Sequence, residues 1–340
     1  MDTVHRQPPP VALAAVIGIV IVAFQALLVP LFAGPASHLA PRDLPVVVAG
    51  PAPATAAIVD RLRTAEPGAF DVGTVADAAA ADQAIRDREA YAAFVVGPDG
   101  LALHTASGAS PTVAALLTQA VQQLAPAGTT VNVVDVVPTD PDDPRGAGFA
   151  SGFLPLALTS LLAGLAFALA VRRRGARLAG LVGYAALAGL VGAAVLQFWL
   201  GILPGTYLDN AGAIALLALA VSAATTGLGA VLGRVGLVLA ALLIFLVGNA
   251  LSGIPAAPEL LPQPWGAFGQ LLPIGAGGTL LRSVAYFDGA GATGAWFVLG
   301  AWAVAGLVLV ALRRGERPVL AYAEESPREA VHKLGDSAAE

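Results

Sequence analysis

Between Phe149 and Leu312 the chain carries no acidic residue until Asp209, and its apolar runs are too long for the core of a soluble domain. The hydrocarbon core of a bilayer asks for about 20 mostly apolar residues per helix. Phe153–Val171, Leu178–Leu200, Ala211–Leu232, Gly236–Ile254 and Ala295–Leu312 each come near that length. A sixth run, Val11–Pro30, lies far upstream. Backbone groups in hydrocarbon must pair internally, so such runs are helices or pieces buried among helices. Composition agrees, with 57% hydrophobic and 12% charged residues and a mean hydropathy of +0.76. With no cysteine in the chain, disulfides and thiolate metal sites are excluded.

Charge sorts the ends of these runs. Residues 35–148 hold 13 acidic and 6 basic side chains, whereas 149–312 hold 6 arginines and 3 acidic residues. Neither part reads as a nucleic-acid surface, so no nucleic-acid partner is expected. Basic residues near helix ends mark the cytoplasmic side. Arg6, then Arg172, Arg173, Arg174 and Arg177, then Arg234, then Arg313, Arg314 and Arg317 all fall on that side if six spans leave both termini in the cytoplasm. The other side carries Asp209, Glu259, Asp288 and Arg282. The first run exceeds a signal-peptide core of about 7–15 residues, so it is read as a retained anchor. The divisions are a cytoplasmic stub 1–10, transmembrane helix 11–33, an extracytoplasmic domain 34–148, helices two to six across 149–312, and a cytoplasmic disordered tail 313–340.

The segment 34–148 alternates strand and helix patterns. Leu44–Ala49 is a β-branched run, and Ala54–Ala65 has the spacing of an amphipathic helix. Ala69–Val75 reads as a strand, and Asp77–Glu89 as a helix opened by an acidic cap. Tyr91–Val96 is a strand ending at the turn Gly97-Pro98-Asp99-Gly100, and Leu101–Thr105 returns as a hairpin. Pro111–Leu124 is a helix and Val131–Val137 a last strand. The expected fold is therefore an all-α six-helix membrane bundle. Between its first two spans sits an α/β domain with a mixed sheet, in the order β-α-β-α-β-β-α-β.

Within 149–312 the connection 255–294 is rich in proline and glycine, yet too apolar for a free loop. Short helices at Trp265–Leu271 and Gly277–Tyr286 are expected at the outer interface or dipping against the bundle. Trp265, Tyr286 and Trp296 suit an aromatic belt there.

Chemistry-bearing motifs are missing. No P-loop, HExxH or GxSxG occurs, so neither an ATPase nor any other enzymatic activity is expected of this chain, and no cofactor or metal is implied. His5, His38, His104 and His332 are scattered and read as surface residues, and Asp142-Asp143 as a solvated linker pair. The candidate polar contacts are Gln25, Gln197, Asn249, Glu259 and Arg282. An amide in hydrocarbon needs a partner, so Asn249 faces another helix or a cavity, as packing glue or as a substrate contact. Arg282 pairs with Glu259, meets lipid phosphate, or, the reading preferred, anchors a short interfacial helix from the surface. Gly229–Gly233 is a GxxxG pair, read as internal packing rather than a dimer seam.

Four stretches carry a resemblance: LPVVVAG at Leu44–Gly50, AYAAFVVGPDG at Ala90–Gly100, DDPRGAGFASGFLPL at Asp142–Leu156 and LPQPWGAFGQLLPIGAGGTLLR at Leu261–Arg282. With the layout of one anchor, an outer domain and five spans, the chain resembles the type-2 ABC exporter permeases, especially the phage-infection-protein-like branch. The resemblance implies a homodimer or heterodimer in the lipid bilayer of a bacterial plasma membrane. It also implies ATP hydrolysis by a separate ATPase subunit, and cargo such as a lipid, drug, peptide or polysaccharide precursor. Family permeases carry an amphipathic helix before the first span and a coupling loop between the second and third. Here the matching pieces are a ten-residue stub and Arg172–Arg177. The leading expectation is a permease-like exporter subunit moving or presenting an amphiphilic molecule. The alternative is a non-transporting envelope scaffold or receptor acting through its outer domain.

Overall fold

The structure, a computed structural model, describes residues 10–98, 100–124 and 131–312. The stub before residue 10, Asp99 and the tail 313–340 lie outside the described residues, and with them Arg6, His5, Arg313, Arg314, Arg317 and His332.

The α/β domain has the predicted order of elements. It runs β1 (Leu44–Ala49), α2 (Ala52–Ala65), β2 (Phe70–Val75), α3 (Ala78–Arg86), β3 (Ala92–Gly97), β4 (Gly100–Thr105), α4 (Pro111–Leu124) and β5 (Asn132–Asp135), after a first helix α1 (Pro10–Ser37). The strands lie in the order β2-β1-β3-β4-β5. β1 is parallel to β2 and β3, β4 is antiparallel to β3, and β5 is parallel to β4. The continuous apolar run of β1 follows from burial on both faces. Val46 and Val48 pack with Val59, Leu103 and Leu117 on one side, and Val47 and Ala49 with Ala81 and Ile85 on the other. Asp77 caps α3 as expected, its carboxylate accepting from the Ala80 N–H at 2.9 Å.

The rest is helical. α1, α5 (Ala147–Ala170), α6 (Arg174–Ala194) with its π-helical extension Val195–Trp199, α7 (Tyr207–Leu232) and α12 (Thr293–Leu312) are each long and apolar enough to cross a membrane. The run expected at Gly236–Ile254 is shorter than the other five. α8 (Arg234–Leu239), a π segment (Ala240–Val247) and α9 (Gly248–Ala250) form one apolar helix, Arg234–Ala250. At 1.5 Å per residue that is about 25 Å. It stops where Gly253 turns left-handed (φ 69°) ahead of Pro255.

α7 is the central rod, with 67% of its apolar window buried. It accepts α12 at backbone contact: a Cβ on Gly306 would stand 2.3 Å from the Ala223 carbonyl carbon, and one on Gly227 would stand 2.7 Å from the Gly306 oxygen. The buried hydroxyls of Ser222, Thr225 and Thr226 bond back to their own helix, and Thr226 also donates to the Gly164 carbonyl of α5 at 3.0 Å. The GxxxG pair divides: Gly229 packs under Leu237, and Gly233 makes the turn between α7 and α8. The arginine end holds together as the charges require. Arg177 donates to the Phe167, Ala168 and Val171 carbonyls, closing the end of α5, and Arg174 to the Ala311 carbonyl at 2.7 Å.

At the opposite end the connection grips the sheet. A 3-10 turn (Pro258–Leu260) precedes α10 (Trp265–Gln270) and α11 (Pro273–Tyr286). Ala256, Ala257 and Leu260 join the core on one face of the sheet, and Phe287 joins the core on the other. Backbone bonds from Ala40 N to Leu260 O (3.1 Å) and from Arg42 N to Glu259 O (3.0 Å) lace the first arm to the chain after α1. α11 is buried from Pro273 to Ala285 apart from Thr279, so it dips into the bundle. Tyr286 leaves the expected aromatic belt and packs edge-on to Phe149, while Trp265 and Trp296 remain exposed.

Candidate functional site

Where the end of α1 meets the bundle lies a cavity of about 670 Å³. Phe32 and Leu39 wall it on the α1 side, Phe153 and Leu154 on the α5 side, and Asn249 and Ile254 beyond the π segment. Its wall is mostly apolar, and its polar groups are few: Arg145, Ser151, Asn249 and Ser252. A concave, largely apolar space with a few convergent polar groups is the usual form of a binding site for a molecule of drug or lipid size. Arg145 is exposed at the start of α5 and makes no ion pair with a described residue. Arg42 stands near the same end, donating to the Leu260 carbonyl at 2.7 Å and to those of His38 and Ala40 at 3.0 Å.

Local sequence explains the walls. Pro30 and Pro35 inside α1 leave the carbonyls a turn earlier without an N–H partner. The eight-residue π segment Ala240–Val247 offsets the face of the helix that follows, and π segments recur at functional positions. α5 starts where Asp143 takes the Gly148 and Phe149 N–H groups at 3.0 and 2.8 Å. Asp143 is therefore buried as a cap and is not a solvated linker residue.

The structure scatters the five polar contacts predicted from sequence. Asn249 lines the cavity. Gln25 lies exposed on α1, away from any wall of the cavity, because that helix rides at the edge of the bundle. Gln197 closes the turn between α6 and α7, donating to the Gly205 carbonyl at 2.7 Å and accepting from Asn210 at 3.2 Å. Asn210 is fully buried, and its Oδ1 has no partner among the described residues.

Glu259 and Arg282 do not pair. Glu259 accepts a hydrogen bond from the Tyr91 hydroxyl at 2.8 Å, which ties the connection to the start of β3. Arg282 is not a surface anchor: it is 8% exposed, donates to the Ile254 carbonyl at 3.1 Å and lies 4.7 Å over the Phe149 ring. Burial, and then the Glu259 carboxylate, push the Tyr91 pKa up.

Sequence reasoning missed Arg88, Tyr91 and Arg145. Arg88 donates across the junction to Ser283 and to the Thr279 carbonyl. Nothing in the spacing singled these residues out: Arg88 and Tyr91 meet their partners, and Arg145 its cavity, only through the fold. His104 also departs from the surface reading: its Nδ1 stands 2.6 Å from Asp82 and its side chain is 12% exposed. Among the described residues no cluster of three His, Cys, Asp or Glu side chains is placed to hold a metal ion. Searches of protein-family models, of curated proteins and of solved structures find no match to this chain.

Proposed function

We propose that the chain is a permease-like subunit of an ABC-type exporter in a bacterial plasma membrane, moving or presenting an amphiphilic molecule at the cell envelope. In this reading the five long helices and Arg234–Ala250 form a six-span bundle, both termini are cytoplasmic, and the α/β domain is extracytoplasmic. A separate cytoplasmic subunit hydrolyses ATP, and the permease works as a homodimer or heterodimer. The observation that carries the proposal is the cavity between α1 and α5: apolar walls for a hydrocarbon body, with Arg145 and Asn249 for a polar head. A helix at the edge of the bundle with an apolar gap behind it offers a route between lipid and protein.

The experiment is affinity purification of the full chain in mild detergent with identification of partners, together with export assays on a Ser151→Trp variant that fills the cavity. Co-purification of an ATPase, and loss of export with normal expression, support the proposal. No ATPase partner, and export unchanged by deletion of the chain, would refute it. A second reading, a scaffold or receptor working through the outer domain, is favoured by the grip of the connection on both faces of the sheet. A soluble envelope partner retained on the outer domain, with no ATPase recovered, would support it.

A further inference from the structure

A second cavity, of about 350 Å³, lies where the sheet meets the connection. Arg88, Tyr91 and Gln270 line it, with Glu259, Gln263 and Thr279. Half of its lining residues carry polar side chains, a larger share than in the first. Arg88 reaches it from a left-handed backbone (φ 58°), a conformation that is costly for a side chain of this size and that persists where the surroundings impose it. Its guanidinium donates to the Thr279 carbonyl at 3.3 Å and to the Ser283 hydroxyl, and lies 5.3 Å over the Phe287 ring. Glu259 is held on its Oε2 by the Tyr91 hydroxyl. Each charge is thus fixed by neutral groups, and neither makes an ion pair with a described residue. Both are half-buried. A cation and an anion that share a wall without meeting have lost water and gained no counter-charge.

We propose that this cavity binds a small zwitterion, a free α-amino acid, with its carboxylate on Arg88 and its ammonium on Glu259. An α-amino acid carries the two opposite charges a few bonds apart, and the cavity volume lies at the lower end of the range for small-molecule sites. Charge-assisted bonds of this kind are the strong ones, and a planar guanidinium suits a carboxylate. Gln263, Gln270 and Thr279 supply neutral polar groups for the side chain. Arg88 belongs to the outer domain and Glu259 to the connection, so the ligand bridges them and its occupancy tightens the junction. Neither transport nor ATP hydrolysis enters this argument.

The test is isothermal titration of the purified full chain, in an uncharged detergent, with each of the twenty free amino acids. The tightest binder is then compared with its N-acetyl and carboxamide forms. The expected result is saturable binding of at least one amino acid, weakened about tenfold or more by either blocking group. Glu259→Gln should erase the preference over the N-acetyl form, and Arg88→Gln the preference over the amide. Ala267→Trp, on an exposed part of the wall that bears no charge, should abolish binding without touching either charged residue. Heat from none of the twenty, equal affinity for the blocked forms, or wild-type affinity in Glu259→Gln and Ala267→Trp would each overturn the proposal. A positive titration with no export, or export with no titration, separates this site from the exporter reading.

Discussion

Tyr91 shows what a single residue does at the junction. Its hydroxyl satisfies Glu259, which stands half-buried on the connection with no cation within ion-pair distance among the described residues. Tyr91→Phe leaves that carboxylate oxygen without its donor, and the expected cost is about 1–3 kcal/mol, read from thermal melts in detergent. The same pair sets a pH dependence. Burial and the Glu259 charge hold the folded-state phenol protonated above the usual tyrosine value of about 10. The folded chain then binds this proton more tightly than the unfolded chain, so the contribution is full below pH about 10 and drains away as the pH rises through the folded-state value. Wild-type stability should fall above pH about 10, and Tyr91→Phe should flatten that part of the profile. A flat wild-type profile would mean that Tyr91 is not held as described. Arg282 is the opposite case: a buried cation served by one carbonyl and a ring face, and legible in the sequence only as an arginine on the wrong side for the charge rule.

At the scale of elements, small residues decide which helices touch. α7 carries alanine, glycine, serine and threonine around nearly its whole circumference, and α5, α6, α11 and α12 all pack on it. Its contact with α12 is close enough that Gly306→Leu forces the two backbones apart. The expected loss is about 1–3 kcal/mol or more, seen as a lower melting temperature in detergent. Gly300→Leu, on the same helix with open space around it, is the matched control and should change little. Equal effects from the two would remove the close approach as the cause. The breadth of the polar-to-small stripe was legible in the sequence, but the partner was not. Of the GxxxG pair, Gly229 packs inside the bundle against Leu237 of α8, and Gly233 makes the turn that follows α7.

Over the whole molecule, one end of the bundle is marked by a run of arginines. The arginines at 172–177 and the end of α12 gather at one end, and the sheet lies beyond the other. The absence of cysteine from the chain makes this directly testable, since any thiol introduced is the only one. Pro98→Cys, exposed in the hairpin, should react with a membrane-impermeant maleimide on intact cells. Ala176→Cys, exposed at the arginine end, should react only after permeabilisation. The reverse pattern would invert the proposed topology. The two cavities are joined by side chains. Thr279 donates to Gln270 at 2.7 Å, and Gln270 donates to the carbonyl of Ser252, which lines the apolar cavity, at 3.0 Å.

What the sequence determined alone is what depends on near neighbours and on transfer out of water. The apolar runs had to be helices, the alternation in 34–148 had to be strands and helices in that order, and Asp77 had to open a helix. Proline and glycine marked the connection as unusual, and its apolar residues kept it from being a free loop. Only the tertiary structure decided that α11 is buried, that Glu259 meets Tyr91 instead of Arg282, and that Arg88 reaches Ser283 from 195 residues away. Those contacts join segments far apart in the chain. Their existence depends on how the sheet seats against the bundle, which no local spacing encodes.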